Sequence, residues 1–579
     1  MSALVRRVAP LALLLALAGC GNKPDINAPL AFVPADTPYV FANLEPMPQP
    51  VVDQWSQLTR EAWPISLNMY RRILDKAQAD APDSVSLKTA HALLDEVSAQ
   101  VSAGNFEALG IKSSTHMAIY GIGVLPVVRL ELADPAKLRA AIARVEAKAG
   151  AKLPTAKLGE LEYWTLTLNE AGAAPATDKT GAAKIPSPLE KVQLLLGIVD
   201  QQLVVSFAPA TASEGLRKQL FGLTRPAKPL DPASLTALNK RYGYLPYSSG
   251  YVDFLRLVDF LGDESDPVRR ELAAALGEMP AVDATCKAEV RSIVAKFPRF
   301  VAGYTELEPK RMTLHAQLEL EPALAKEFAA SLVAAPGTGA AAEGLTDFAL
   351  ALPVLKQKSF WLRQAKAVVD KPYACADLAG LNDSFAKFKQ SLDTTIPPPA
   401  SDLAGLRLQL GKLDFAAGKD KPEFAGKLVV ALNNPAGAVA MAQLVLPSLK
   451  DLKLSADGKP VALPADVAPA SLPPLFLAMD NNALALSAGA GEEAGLGAFL
   501  TAPAAAAPVF LRMRITGALY GRLGGMLDTF GALLPAEQRA DMDAQKQLFA
   551  LYEKSIAHIE FSMTANDGGV ALRESAEMR

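Results

Sequence analysis

The stretch Arg311-Met312-Thr313-Leu314-His315-Ala316-Gln317-Leu318-Glu319-Leu320 alternates without a break. Met312, Leu314, Ala316, Leu318 and Leu320 fall on one side, and Arg311, Thr313, His315, Gln317 and Glu319 on the other. Successive side chains of a strand point to opposite faces, so a period of two reads as a β-strand with one face on a core and one face wet. Glu321-Pro322-Ala323 ends the run. Proline fits the first turn of a helix, where its missing N–H would have no partner, and an acid suits the positive end of the helix dipole. The strand therefore feeds a helix. The same junction recurs as Asp134-Pro135-Ala136 and Asn434-Pro435-Ala436, where Asp or Asn can cap free N–H groups. After the first of these, Leu138, Ile142 and Val145 form one apolar helical stripe, and Gly150 suits its end.

Outward from that strand, a unit of apolar strand, helical stretch and two further strands recurs four times. The first runs from 39–44 through helices at 55–72 and 87–101 to strands at 115–120 and 127–132. The second opens at 250–254 and reaches 300–305 and the alternating strand. The third opens at 347–352 and ends in 406–410 and 427–432; the fourth opens at 509–513 and ends in 556–563, an Asn566-Asp567-Gly568 turn and 570–573. Val252 to Val301 spans 49 residues, as does Phe510 to Ile559. Hairpins at 194–207 and 475–486 turn at Asp200-Gln201-Gln202 and Asp480-Asn481-Asn482, and Leu216 and Leu220 follow the first as Leu496 and Leu500 follow the second. We expect an α+β fold of tandemly duplicated antiparallel strand-helix-hairpin units, the sheets covered by helices, with halves at 36–340 and 341–579. Chance likeness among Ala- and Leu-rich elements is the alternative. Ala-, Pro- and Gly-rich stretches at 171–188, 334–344, 396–401, 463–474 and 501–508 read as loops, with 334–344 as the boundary between halves.

At the amino terminus, Arg6 and Arg7 precede the apolar residues 8–18, interrupted only by Pro10, and Leu17-Ala18-Gly19-Cys20 closes the stretch. A short positive region, an apolar core too short to span a bilayer and small residues at the break read as a secretory signal over 1–19. The closing four residues resemble the lipobox of bacterial lipoprotein precursors, an ordinary signal peptide cut elsewhere being the alternative. The resemblance implies cleavage before Cys20, fatty acylation of its thiol and new amino group, and a membrane partner held through the lipid anchor. Two or more acyl chains hold a protein stably where one does not. With Gly21 in place of an Asp, the resemblance implies the periplasmic face of the outer membrane. Residues 20–35 then read as a lipidated tether, in which fourteen extended residues reach no more than about 46 Å. Val33-Pro34-Ala35-Asp36-Thr37-Pro38-Tyr39, Cys286-Lys287-Ala288-Glu289 and Pro372-Tyr373-Ala374-Cys375 are similar to segments of Gram-negative envelope lipoproteins to which no activity is attached. Cys286 and Cys375 remain as an even pair. In an oxidising periplasm they are expected to form a disulfide stapling one half to the other, two separate buried thiols being the alternative.

Composition narrows the function. Of 579 residues 50% are hydrophobic and the formal net charge is −3, which excludes overall disorder. Beyond the amino terminus no apolar run approaches the ~20 residues of a membrane span. Lys and Arg (58) nearly balance Asp and Glu (61), so no nucleic-acid partner is expected. His116, His315 and His558 fall on polar faces of strands, with no acid recurring beside all three, so no metal is expected; His91 lies on a helical stripe. Ser384-Phe385-Ala386-Lys387, Ser66-Leu67-Asn68 and Lys179-Thr180-Gly181 match pieces of penicillin-binding enzymes in a scrambled order, and Ala485-Leu486-Ser487-Ala488-Gly489 misses a nucleophile elbow by its first glycine. No catalytic set and no cofactor is expected. Trp55, Trp63 and Tyr70 read as core of the first helical region, or as the lining of an apolar groove. Gly517 and Gly521 on one helical face read as tight internal packing. The expectation is a membrane-anchored, non-enzymatic binding or scaffolding body with an envelope protein partner. The alternative is a carrier of lipid or another apolar ligand, motivated by a mean hydropathy of +0.16 and by half-buried sheets. An envelope hydrolase, the third reading, would need a cleft with converging polar groups.

Overall fold

A computed structural model describes residues 28–80, 82, 84–111, 114–167, 192–277, 283–414, 423–467, 472–531 and 536–579. The expected signal peptide, Cys20, the tether up to residue 27 and the loop at 171–188 lie outside the described residues.

The first half carries β1 (Tyr39–Asn43), β2 (Met117–Ile122), β3 (Leu125–Glu131), β4 (Thr155–Leu158), β5 (Leu161–Thr167), β6 (Val192–Val199), β7 (Gln202–Pro209), β8 (Ser249–Asp253), β9 (Arg299–Leu307) and β10 (Arg311–Glu319). The second carries β11 (Thr346–Ala351), β12 (Leu403–Asp414), β13 (Glu423–Leu432), β14 (Val461–Ala462), β15 (Leu475–Met479), β16 (Ala483–Ala488), β17 (Val509–Thr516), β18 (Ile556–Asn566) and β19 (Gly569–Met578). Mixed α+β with antiparallel pairing is as expected, but the several sheets are one. Among the described residues, all 19 strands join a single sheet. Its order, read from the pairings, is β4-β5-β6-β7-β3-β2-β1-β8-β9-β10-β19-β18-β17-β11-β12-β13-β16-β15-β14. An open sheet this wide must curl to relieve its twist.

Inside the outermost strands β4, β5 and β14, the first half runs β6-β7-β3-β2-β1-β8-β9-β10 and the second runs β15-β16-β13-β12-β11-β17-β18-β19. These eight-strand orders correspond, while the outer edges differ by one strand. The halves meet at the β10–β19 ladder, whose central pair is His315 opposite Arg573. An independent count reaches the same pair. Asp253 ends β8 opposite Arg299, and Thr516 ends β17 opposite His558. Four residues further, Gly303 pairs with His315 and Ser562 with Arg573. The equal 49-residue spacing seen in the sequence is a different matter: Val252 lies opposite Phe300, whereas Ile559 lies opposite Ile515, so Phe510 and Ile559 are not register partners.

Helices leave the strand ends. Gln49–Asp80 and Val85–Ala103 follow β1, and Gly517–Gly531 and Ala536–Ser555 follow β17 at the same end of the sheet; Lys554 pairs with Glu61 there at 3.0 Å. Phe254–Gly262, Pro267–Leu276 and Ala284–Val294 follow β8 at the other end, where Val354–Asp370 and Ala379–Asp393 follow β11. Cys286 and Cys375 form a disulfide between these last two groups. The junctions behave as read: Asp134 caps Ala136 N, Asn434 caps Gly437 N, and Glu321 makes no side-chain cap. Gly517 is a tight contact, since an added Cβ would meet the Ile556 backbone carbonyl; at Gly521 it would meet the Glu553 carboxylate, the movable end of a side chain.

Two segments expected to be loose are built into the body. Residues 28–35 are not free tether: Pro29–Phe32 forms a short 3₁₀ turn, and Leu30, Phe32 and Val33 are buried. Leu230 N donates to Val33 O, and Arg256 donates to the carbonyls of Ala35 and Thr37. Residues 334–344 are tied down in the same manner before β11. Ala335 N donates to Val509 O, and Arg512 donates to the carbonyls of Gly337, Thr338 and Ala340. Apolar Ala, Pro and Gly in such a strap serve packing, and arginine supplies the donors that its extended backbone lacks.

Candidate functional site

Cross-strand partners point to the same face, so the registers define two faces of the sheet. One face is a core. Val40, Ala42, Tyr120, Val127, Val204 and Leu195 are fully or almost fully buried against the 28–35 strap and against Leu216, Leu220, Phe221 and Leu235. In the second half, Val429, Ala478 and Ala485 pack in the same manner on Leu496 and Leu500. The leucines that follow each hairpin in the sequence, Leu216 and Leu220 and then Leu496 and Leu500, are buried in these two clusters.

The other face is apolar as well. A single row runs Trp164, Leu196, Val205, Val128, Ile119, Phe41, Gly250, Ala302, Ala316, Leu572, Met563, Leu511, Leu350, Leu406, Val430, Leu484 across sixteen strands. All but the small Gly250 and Ala316 are only half-buried, and the neighbouring Leu408 and Met513 are 45% and 36% exposed. Contiguous exposed apolar surface beyond a few hundred Å² marks an interaction site in a soluble protein. At one end Trp55 and Leu58 reach a small crevice beside Met312, Ala576 and Met578.

This reverses the wet and dry sides expected of the alternating strand. In β10 it is Thr313 (0%) and Gln317 (2%) that are buried, while Met312, Leu314 and Leu318 are half-exposed. The polar side is affordable because each group is paired. Thr313 Oγ1 donates to Glu306, Gln317 and Asn566 exchange two amide bonds at 3.2 Å, and Arg299 and Tyr242 both donate to Glu319. Elsewhere on the covered face Arg129, Gln202, Asp347, Arg407 and Arg512 are buried too, and there the pairing is incomplete: each arginine is bonded through Nη, but the three Nε atoms have no partner among the described residues. Reading burial from hydrophobicity alone misses this, and the signal that could have found it is the arginine recurring inside otherwise apolar strands.

The histidines do not converge. His116 sits just before β2 with Nδ1 3.0 Å from Glu131 Oε2, His558 lies 3.9 Å from Glu577, and His91 lies 3.7 Å from Asp75. His315 Nδ1 lies 3.1 Å from the Tyr244 hydroxyl, beside Tyr242 and opposite Arg573. Burial, and then Arg573, pushes the His315 imidazole below its ordinary value. The unfolded chain therefore takes the proton first, near pH ~6.5, and the folded protein loses stability as pH falls through that value, until His315 itself protonates. Between about pH 7 and about pH 5 the His315→Gln variant should lose less of its urea-unfolding stability than the wild type.

Among the described residues, Cys286, Cys375 and Asp377 form a group with metal-ligand spacing, but its two sulfurs are bonded to each other. Ser66 and Asn68 lie on Gln49–Asp80, and Ser384 and Lys387 on Ala379–Asp393, helices at opposite ends of the sheet; Lys179-Thr180-Gly181 lies outside the described residues. Trp55 and Tyr70 are 37% and 46% exposed instead of core, while Trp63 donates to Ser98. No described helix is long and apolar enough to cross a membrane. Comparison with protein-family models, curated proteins and solved structures finds no match to the chain.

Proposed function

We propose that the protein is a lipid-anchored envelope lipoprotein whose body is a non-enzymatic binding protein for lipid acyl chains. The observation that carries this reading is the half-exposed apolar row spanning sixteen strands. A surface so wide and so poor in charge suits a chain-like apolar ligand better than a compact polar one. The Leu17-Ala18-Gly19-Cys20 sequence supports acylation at Cys20 and a place at the periplasmic face of the outer membrane. Because the strap begins at Ala28, only residues 21–27 are left as tether, and seven residues reach at most about 23 Å. The apolar face would thus work close to the bilayer. The matched strand orders and the two-fold count through His315 and Arg573 support a tandem duplication, in which the second half extends the apolar row of the first.

Native mass spectrometry of the full chain tests this. The wild type should carry phospholipid, and Ile119→Asn with Val430→Asn should remove most of it, since each puts an amide into the row. A lipid-free wild type, or a doubly substituted protein with the same load, would refute the reading. Cys20→Ser should separately move the protein from the membrane to the soluble fraction.

A further inference from the structure

On the covered side of the sheet, at the strand end where β1 finishes, lies a cavity of about 1130 Å³. It opens between the strap, residues 225–232 and the helix Pro232–Tyr242. Its walls are chiefly apolar, with Pro29, Leu30, Leu44, Pro229, Leu230 and Tyr244 among them. Its volume is slightly above the ~300–1,000 Å³ usual for a small-molecule site, and Glu45, Asp231 and Arg225 stand in the lining beside the apolar walls.

The polar groups present are informative. Asn239 lines the cavity and is 7% exposed. Its Nδ2 donates to the Leu245 carbonyl at 3.4 Å, which fixes which way the amide faces, and its Oδ1 has no partner. That oxygen is closed even to water, so it belongs to the wall and is not a contact point for a ligand. Lys240 stands exposed at the edge of the lining and forms no ion pair among the described residues. His116, also in the lining, has its Nδ1 engaged by Glu131, which leaves Nε2 for a ligand.

We propose that this cavity binds a single-chain acyl amphiphile that carries both a hydrogen-bond donor and an anionic group. The chain fills the apolar walls, the donor meets His116 Nε2, and the anion lies at Lys240. A lysophospholipid and a hydroxy fatty acid share this chemistry. The cavity and the open row lie on opposite faces of the sheet, so the proposal does not rest on lipid binding to the row.

Photoreactive lysophosphatidylglycerol and photoreactive 3-hydroxymyristate, each crosslinked to the full chain and mapped by peptide mass spectrometry, test it. At least one probe should label the cavity walls saturably, and the one that does identifies the source of the ligand. Ala31→Trp and Leu44→Trp, which fill the cavity from different walls, should each lower that labelling about tenfold. Lys240→Ala and His116→Ala should lower it severalfold, and Ile119→Asn in the open row should leave it unchanged. Circular dichroism melts establish that each variant is folded. Wall labelling by neither probe, or labelling that persists in both folded tryptophan variants, would overturn the proposal. Loss of wall labelling in Ile119→Asn would do the same, by assigning the binding to the open face.

Discussion

Asp347→Ala should destabilise the protein by about 3–5 kcal/mol, the cost of breaking a buried ion pair by removing one partner. Asp347 is fully buried in β11. Its Oδ2 accepts from Arg407 Nη2 at 2.8 Å and its Oδ1 from Arg512 Nη2 at 3.2 Å. Both arginines flank the same residue, Ala349, from the neighbouring strands β12 and β17, and neither side chain is more than 6% exposed. Two guanidinium groups already share one carboxylate; Arg512 adds the strap carbonyls and Arg407 lies over the Phe499 ring (4.3 Å), while the Nε of each has no partner among the described residues. Removing the acid leaves two buried cations without a counter-charge, and the strap at 334–344 loses its anchor with them. Asp347→Asn keeps an acceptor and should cost less. Replacing all three by apolar residues of similar volume should restore part of the loss, because buried ion pairs are costly to break and much less costly to remove whole. Urea unfolding of the set measures this; a midpoint for Asp347→Ala equal to that of the wild type would refute it.

That triad also shows what sequence can and cannot reveal here. Elements were legible where local chemistry decides them. The proline junctions, the Asn566-Asp567-Gly568 turn, the Asp200 and Asp480 hairpins and the opening strands of all four units stand where residue pattern placed them. Burial was not legible. In β10 the alternation is legible but its burial is not, because Thr313 and Glu319 find partners across the β9–β10 hairpin in Glu306 and Arg299, and Gln317 finds Asn566, 249 residues away. No periodicity encodes those partners. The straps failed for a related reason: Ala-, Pro- and Gly-rich chain has no period, so its docking depends on Arg256 and Arg512, which lie more than a hundred residues away. The merging of several sheets into one follows from a single ladder, β10 with β19, between the last strands of each half.

The apolar row follows from the same arrangement. With straps, short helices and a polar network on one face, the second face retains the leucines and valines that would ordinarily be covered. The candidate site was therefore partly legible, as repeated half-buried strands, but its location on the face away from the straps was not. The cavity beside Asn239 was not legible at all, since its walls come from the strap, the ends of β1 and the 225–232 loop, three segments that no spacing connects.

Reducing the Cys286–Cys375 bond should cost about 4–5 kcal/mol on the chain-entropy account, because it releases a loop of 89 residues in the unfolded chain. The geometry around the bond favours the native pairing independently. Glu289, one turn beyond Cys286, accepts from the backbone N–H groups of Ala374 and Cys375 at 2.8 and 2.9 Å. Both cysteines are buried, so the bond should need denaturant before a mild reductant reaches it. The opposite end of the sheet provides the control. There the helices of the two halves meet through Lys554 and Glu61, whose side chains are 72% and 33% exposed. An exposed pair of that kind is worth under about 1 kcal/mol, so Lys554→Ala should barely move the urea midpoint while Cys286→Ala with Cys375→Ala moves it far. The halves should nevertheless remain joined after reduction, since the nine-pair ladder from Arg311 to Glu319 does not depend on the bond. Thiol titration of the denatured chain decides the covalent point: the count should rise by two on reduction, and an unchanged count would show that no bond joins the two helical groups.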